Sequence, residues 1–448
     1  MIKLPKEVNG TLKLLEEKGF EAYVVGGCVR DSLIGLKPLD WDIATSARID
    51  ELKRIFPEAQ VLSEEYGVIR MVFPQAQELP AHSGEGPAAD CALLEEALIV
   101  DIATFRIEGP YSDYKKPDHV TFTGSLEEDL TRRDFTINAI AYNPQRTLAD
   151  PNQGRQDMKE KQIKAIGDPI LRFEENPIRM LRAVRFAAEL DFDLHQSVYD
   201  AIVAKAFLLD EIPVESIRSQ FEKIIVSQHT RKGLKLLIET GLMDYIAGQE
   251  VSSTVSKREL EDLDTYICNI DKTKQVRLRR LALFYKCFDL KRSVAAIEYL
   301  KYSGKDEHAL LDGVHLVDKL YFITNKYEMK KFLVDYGMER YEFLDNLSKA
   351  QRIVYDLPVN RIHSRKFILD NIREFQEPIF VEDLAINGDD LLKEGIASGA
   401  AIGKLLNMLL DVVHMKPNLN TKEDLMTYAR TFSKNKLAAS MRKIRFIR

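Results

Sequence analysis

The sequence predicts an α+β protein, a small mixed sheet with helices in the first third followed by helices to the end. Three observations predict it. Residues 1–150 alternate strand and helix patterns, the remainder reads at helical period, and 45% of the 448 residues are apolar, enough to fill about two to four domain cores. In order, a helix is expected at about 7–19, then the strand "AYVVGG", a helix near 29–35, the strand holding "DWDIA", and the helix "ARIDELKRIF". The strands "YGVIRMVF" and "EALIVDIATF" follow, which gives a mixed α/β sheet.

Between those two strands, residues 74–90, "PQAQELPAHSGEGPAAD", are rich in Pro, Gly and Ala and read as a loop. A second stretch, "RIEGPYSDYKKPDHVTFTGS", is polar and aromatic; it reads as irregular, and its length suits a functional lid. After the turn-rich "DPNQGRQD", helices dominate: "PIRMLRAVRFAAEL", "VESIRSQFEKII", "GLKLLIETGLM", and more from 257 to the end. No fixed-period repeat marks a solenoid.

The formal net charge is −6, from 64 basic and 70 acidic residues, which argues against strong non-specific nucleic-acid binding. A local patch is still visible at 430–448, with seven Lys/Arg and no acid; it suits a phosphate backbone or a solvated tail. Apolar runs fall short of the roughly 20 residues a membrane helix needs, and the start "MIKLPKEVNG" has no signal core. A cytoplasmic location is the expectation, with no membrane and no protein partner implied. The four cysteines form no C-x-x-C pair and read as free thiols, and the eight histidines form no metal cluster.

The candidate chemistry starts at "LDWDIA". Side chains two apart on a strand share a face roughly 6–7 Å apart, so Asp40 and Asp42 can point at one place. Carboxylates so arranged, with a third on a neighbouring strand, can hold two Mg²⁺ ions about 3.5–4 Å apart against a substrate phosphate. Asp101 in "LIVDIATF" is the candidate third, sharing a face with Ile99 and Ala103 by alternation. A bare D-x-D is more often a turn and surface pair. Here "VVGGCVRDSLIG" precedes it, where Gly26 and Gly27 let backbone approach a phosphate and Arg30 adds positive charge. Neither G-x-G-x-x-G nor a P-loop is present.

Further on, Arg133 in "RRDFTINA" can pair a phosphate and Asp134 can accept from a ribose hydroxyl, although Asp134 also suits a helix N-cap. In "ENPIRMLRAVRFAAEL", Arg179, Arg182 and Arg185 form a stripe about 120° wide that an anion, or Glu175 and Glu189, would offset. Asn176 before Pro177 reads as an N-cap with Pro at the first helical position.

Together, "GGCVRDSLIGLKPLDWDIAT", "RRDFTINAIAYN", "DPNQGRQDMKEKQIKAIGDP" and "ENPIRMLRAVRFAAEL" resemble the class II tRNA nucleotidyltransferase and bacterial poly(A) polymerase superfamily. The resemblance implies a polymerase-β-like head at 1–150, a helical neck at 151–245 that reads the nucleotide base, a body at 246–360 and an RNA-binding tail at 361–448. It implies two Mg²⁺ ions on Asp40 and Asp42. Nucleotide binding falls to Gly26, Gly27, Arg30, Arg133, Asp134, Asn176, Arg179, Arg182 and Arg185. The implied activity is template-independent addition of CCA to tRNA from CTP and ATP. A-only addition and poly(A) synthesis are alternatives, and a catalytically silent RNA-binding protein is a further one. Position 176 departs from the family pattern, being Asn where an acid is usual, and Asp101 stands where Glu is more common.

Overall fold

In a computed structural model that describes residues 2–38, 40–74, 97–114, 116–247 and 256–445, the predicted alternation is realised. Helix α1 (Lys6–Glu17) leads to strand β1 (Ala22–Val25), an apolar run buried along its length. Helix α2 (Gly27–Leu33), strand β2 (Trp41–Thr45) and helix α3 (Ile49–Ile55) follow, then β3 (Gln60–Ser63), β4 (Val68–Phe73) and β5 (Leu98–Thr104). Next come β6 (Arg106–Glu108), β7 (Val120–Phe122), helix α4 (Leu126–Thr131), β8 (Ala141–Asn143) and β9 (Thr147–Ala149).

Seven of these strands form one sheet in the order β3-β4-β5-β2-β1-β8-β9. Neighbours are antiparallel except β2 and β5, which run parallel. The register sets Asp42 opposite Asp101, and Asp101 opposite Arg70, so the three side chains leave the sheet on one face. The same face carries an apolar cluster of Tyr23, Val25, Ala44 and Ala141 against Phe105 and Leu130.

Several features depart from the expectation, among them the short strands β8 and β9, in segments not read as strands. Strand β3 is an added edge, and its short, largely exposed residues carry little hydrophobic signal. The stretch expected to be irregular holds the hairpin β6–β7, whose strands are three residues each, too short for alternation to register. The expected loop at 74–90, apart from Pro74, lies outside the described residues, as do the side chains of the basic tail beyond 434.

The segment "RRDFT" is tied to the chain that follows the sheet. Ile166 donates its N–H to Asp134 O at 3.2 Å and Thr136 donates to Lys164 O at 3.0 Å, around a bridge between Phe135 and Ala165. Helix α5 (Gly154–Lys159), strand β10 (Gln162–Ile163), α6 (Pro169–Glu175) and α7 (Ile178–Leu190) come next, then β11 (Asp193–Leu194). Strands β10 and β11 pair in parallel and so bracket α7. Helix α7 packs its apolar residues on α9 (Val214–Ile225) and α10 (Thr230–Glu239), with α8 (Gln196–Lys205) against α6.

By contacts the chain divides into two units, 1–253 and 254–448. The described part of the second is helical, with a core of Leu384, Leu391, Leu405, Leu409, Val413 and Leu425. Its helix Gly388–Lys393 starts in a capping box on Asn387, in the "LAINGDD" stretch. Among the described residues no helix is long and apolar enough to cross a membrane.

Gly154 is the tightest point in the scaffold below the site. A Cβ there would lie 2.2 Å from the carbonyl oxygen of Thr136, in the short turn that carries Asn138. Gly154→Ala is expected to cost about 1–3 kcal/mol of stability by overpacking against backbone. Urea denaturation checks this, and an unchanged midpoint would contradict the packing described.

Candidate active site

The turn from β1 into α2 opens the site. Gly26 has φ +78°, a left-handed conformation that side chains disfavour. A Cβ added there would sit 3.2 Å from Arg133 Nη1 and 3.7 Å from Asp42 Oδ2. The missing side chain therefore keeps open the space between a guanidinium and a carboxylate.

Asp42 lies on β2 and Asp40 just before it, exposed. Burial and the neighbouring Asp40 charge push the Asp42 carboxyl up to about 6, against the opposing pull of Arg133. No protein donor among the described residues hydrogen-bonds to that carboxylate, so a cation is the partner its chemistry lacks. Asp101 is adjacent in register, but both its oxygens are taken by Arg70, at 2.7 Å each. Among the described residues no three carboxylate, histidine or cysteine groups gather closely enough to hold a metal unaided.

Asp134 is buried and organises the opposite wall. Its Oδ2 accepts from Arg182 Nε at 2.7 Å; its Oδ1 accepts from the Phe135 N–H at 2.8 Å and from Asn138 Nδ2 at 3.1 Å. Asn138 Oδ1 in turn accepts from Arg30 Nη1 at 2.7 Å. Burial raises the Asp134 pKa, but the Arg182 charge and these hydrogen bonds outweigh it and hold the carboxyl at about 2.

Helix α7 supplies the arginine stripe, and each guanidinium meets an acid. Arg179 pairs with Glu175 at 2.6 Å, Arg182 with Asp134 at 2.6 Å and Arg185 with Glu189 at 3.5 Å. Arg133 pairs with the buried Asp129 at 3.2 Å. The helix begins one residue later than expected, at Ile178 with Pro177 at its cap position, and Asn176 ends α6; its Oδ1 still accepts the Ile178 N–H at 3.2 Å. Yet Asn176 also borders the site, which is a cavity of about 600 Å³.

That cavity brings together Gly26, Gly27, Arg30, Asp40, Asp42, Arg133, Asp134, Asn176, Arg179, Arg182 and Arg185. Asp101 is the one predicted residue not on its lining. Sequence reasoning missed Asn138, Phe186 and Lys223, which do line it. Asn138 carried a signal, four residues beyond Asp134 in a polar-then-apolar segment; Lys223 carried none, being an ordinary surface lysine of α9 in sequence.

Comparison with known proteins identifies the family. Residues 22–164 match the family described as the poly A polymerase head domain, and 191–250 that described as the probable RNA and SrmB- binding site of polymerase A. The CCA-adding enzyme of Lactococcus lactis is 32% identical over 418 residues, which cover 91% of this chain and 93% of that protein. The chain belongs to the CCA-adding enzyme family. The CCA-adding enzyme of Ligilactobacillus salivarius is 31% identical, with 97% of this chain and 99% of the relative covered. Among solved structures, the Bacillus stearothermophilus CCA-adding enzyme in complex with CTP superposes with a TM-score of 0.72 at 27% identity, covering 96% of this chain and 98% of that one. The fold of this CCA-adding family member is accordingly a polymerase-β-like head with a helical remainder.

The Asp134 network makes a prediction about acid stability. A carboxyl whose folded pKa is depressed from 3.8 to about 2 adds stability above its unfolded pKa and loses it as pH falls through the folded one. Asp134→Asn is therefore expected to cost about 2 kcal/mol near neutrality, and the gap from wild type should close between about pH 4 and 2. Denaturation curves over that window check it; a gap independent of pH would contradict the assignment.

Proposed function

We propose that the protein adds CCA to the 3′ end of tRNA, without a nucleic-acid template, from CTP and ATP. The observation that carries this is the single cavity in which the Asp40–Asp42 pair and the Gly26 turn face Asp134, Asn176 and Arg179. The CTP complex of the Bacillus stearothermophilus relative supports the nucleotide class. Residues 1–150 are then the catalytic head, 151–245 the neck, 246–360 the body and 361–448 the RNA-binding tail.

Asp40 and Asp42 would hold two Mg²⁺ ions. The donor set fits, because Asp42 is a half-buried carboxylate without a protein donor among the described residues, beside a second carboxylate and an open glycine turn. When bound, the ions stabilise charge on the reacting phosphate and acidify the attacking hydroxyl. The remaining work falls to the chain. The RNA 3′-oxygen forms a bond to the α-phosphorus, the bond from that phosphorus to the bridging oxygen breaks, and pyrophosphate departs with the electron pair. The hydroxyl proton leaves to Asp42 or to solvent. Arg30, Arg133, Arg182 and Arg185 bind the triphosphate and sugar, and Asp134 accepts from the ribose 2′-hydroxyl, which separates NTP from dNTP.

Base choice is assigned to the start of α7. The Asn176 carbonyl can accept from the exocyclic amine that cytosine and adenine share, and the Arg179 guanidinium offers donors to the same base edge. Unlike a carboxylate, the amide of Asn176 can also donate, which weakens rejection of uracil and guanine.

Two experiments test this reading. Purified protein with Mg²⁺ and labelled CTP or ATP is expected to extend tRNA lacking CCA, tRNA ending in C and tRNA ending in CC. Extension only of the CC-ended tRNA would mean A-addition, extension of oligo(A) would mean poly(A) synthesis, and extension of none would leave a silent RNA-binding protein. Asn176→Ala is expected to lower the preference for CTP and ATP over UTP and GTP, and Arg179→Ala to reduce turnover further. Unchanged ratios across the four nucleotides would remove Asn176 from base choice.

A further inference from the structure

We infer that Phe186 is a positioning residue, whose aromatic face gathers Arg30, Arg182 and Arg185 into one preset guanidinium cluster for the incoming nucleotide. This rests on the nucleotide-binding role proposed above for those arginines.

The three guanidinium carbons lie 5.1, 5.4 and 4.5 Å from the centroid of the Phe186 ring, for Arg30, Arg182 and Arg185 respectively. All three fall within the roughly 6 Å over which a ring's negative face attracts a cation. The arginines reach it from two elements. Arg182 and Arg185 are on the same helix as the ring, and Arg30 comes from α2, more than a hundred residues earlier. The ring itself is 4% exposed and stands edge-on to Phe135, with centroids 5.8 Å apart at 83°. Phe135 directly follows Asp134, so the ring is held by the same segment that holds Arg182.

Three cations around one small volume repel one another, and their acids do not pin them together. Each guanidinium leans on a different partner: Asp31 and Asn138 for Arg30, Asp134 for Arg182, Glu189 and Gln220 for Arg185. Asn138 and Asp134 link Arg30 to Arg182, whereas Arg185 is held by Glu189 and Gln220, outside that chain of hydrogen bonds. The Phe186 ring lies against all three, and it is uncharged, so it draws them together without cancelling the charge a triphosphate would meet. An aliphatic side chain of similar volume would fill the same space and give no such attraction.

The test replaces Phe186 in the full-length chain by mono-, di- and trifluorophenylalanine, which keep the ring's shape and drain its negative face. Equilibrium affinity for CTP and ATP, affinity for tRNA, and the melting midpoint are measured together. The expected result is a stepwise loss of nucleotide affinity with each fluorine, reaching about tenfold, with tRNA affinity and melting midpoint unchanged. Phe186→Tyr should bind nucleotide as the native chain does, and Phe186→Leu should bind more weakly. Flat nucleotide affinity along the fluorine series, or Leu equal to Phe, would overturn the role of the ring. Because binding rather than extension is read, failure of the unmodified chain to extend tRNA would count against the proposed activity and not against Phe186.

Discussion

One buried carboxylate determines where the groups of this site stand. Asp134 has its charge inside the protein, and that charge persists because Arg182, Asn138 and the Phe135 amide surround it. Through Asn138 it reaches Arg30 of α2, and through Arg182 it reaches α7. Breaking a buried pair of this kind leaves an uncompensated charge, which is strongly unfavourable. Head strands, the glycine turn and the arginine helix are therefore held in mutual register by a single ionised group.

The consequence for chemistry is a cavity of paired rather than free charges. The arginines of α7 already have acids, and Arg70 neutralises Asp101, which leaves Asp40 and Asp42 as cavity carboxylates without a protein donor among the described residues. An entering triphosphate meets guanidiniums whose positions are set before it arrives, so little ordering remains to be done on binding. On the proposed function, a divalent cation would meet two carboxylates, one of them already raised in pKa by burial and by its neighbour's charge.

How much of this was legible in the sequence follows from the range of each interaction. Strand and helix patterns in the first third reported on neighbours within a few residues, and β1, α2, β2 and α7 appeared where periodicity put them. Asp42 was readable because it lies on strand β2, whereas Asp40, expected on the same strand, stands in the bend just before it and reaches the cavity from there. Residues whose roles depend on distant partners were not readable. Asn138 meets Arg30 from 108 positions away, and Lys223 borders the cavity only because α9 packs on α7. Arg70 could not be tied to Asp101 without the register of β4 on β5, and hairpin β6–β7 was too short to show a period.

On the proposed function, the cavity walled by the β1–α2 turn and by α7 holds the nucleotide for transfer. A second cavity of about 510 Å³, lined by Tyr111, Glu127, Thr131 and Arg172, lies nearby and shares Glu108 and Arg132 with it. A crystal structure with bound CTP discriminates between them directly. The account predicts the base against Asn176 and Arg179, the ribose at Asp134 and the phosphates between Gly26 and the Asp40–Asp42 pair. CTP seated against Tyr111 and Arg172, with the aspartate pair untouched, would contradict it.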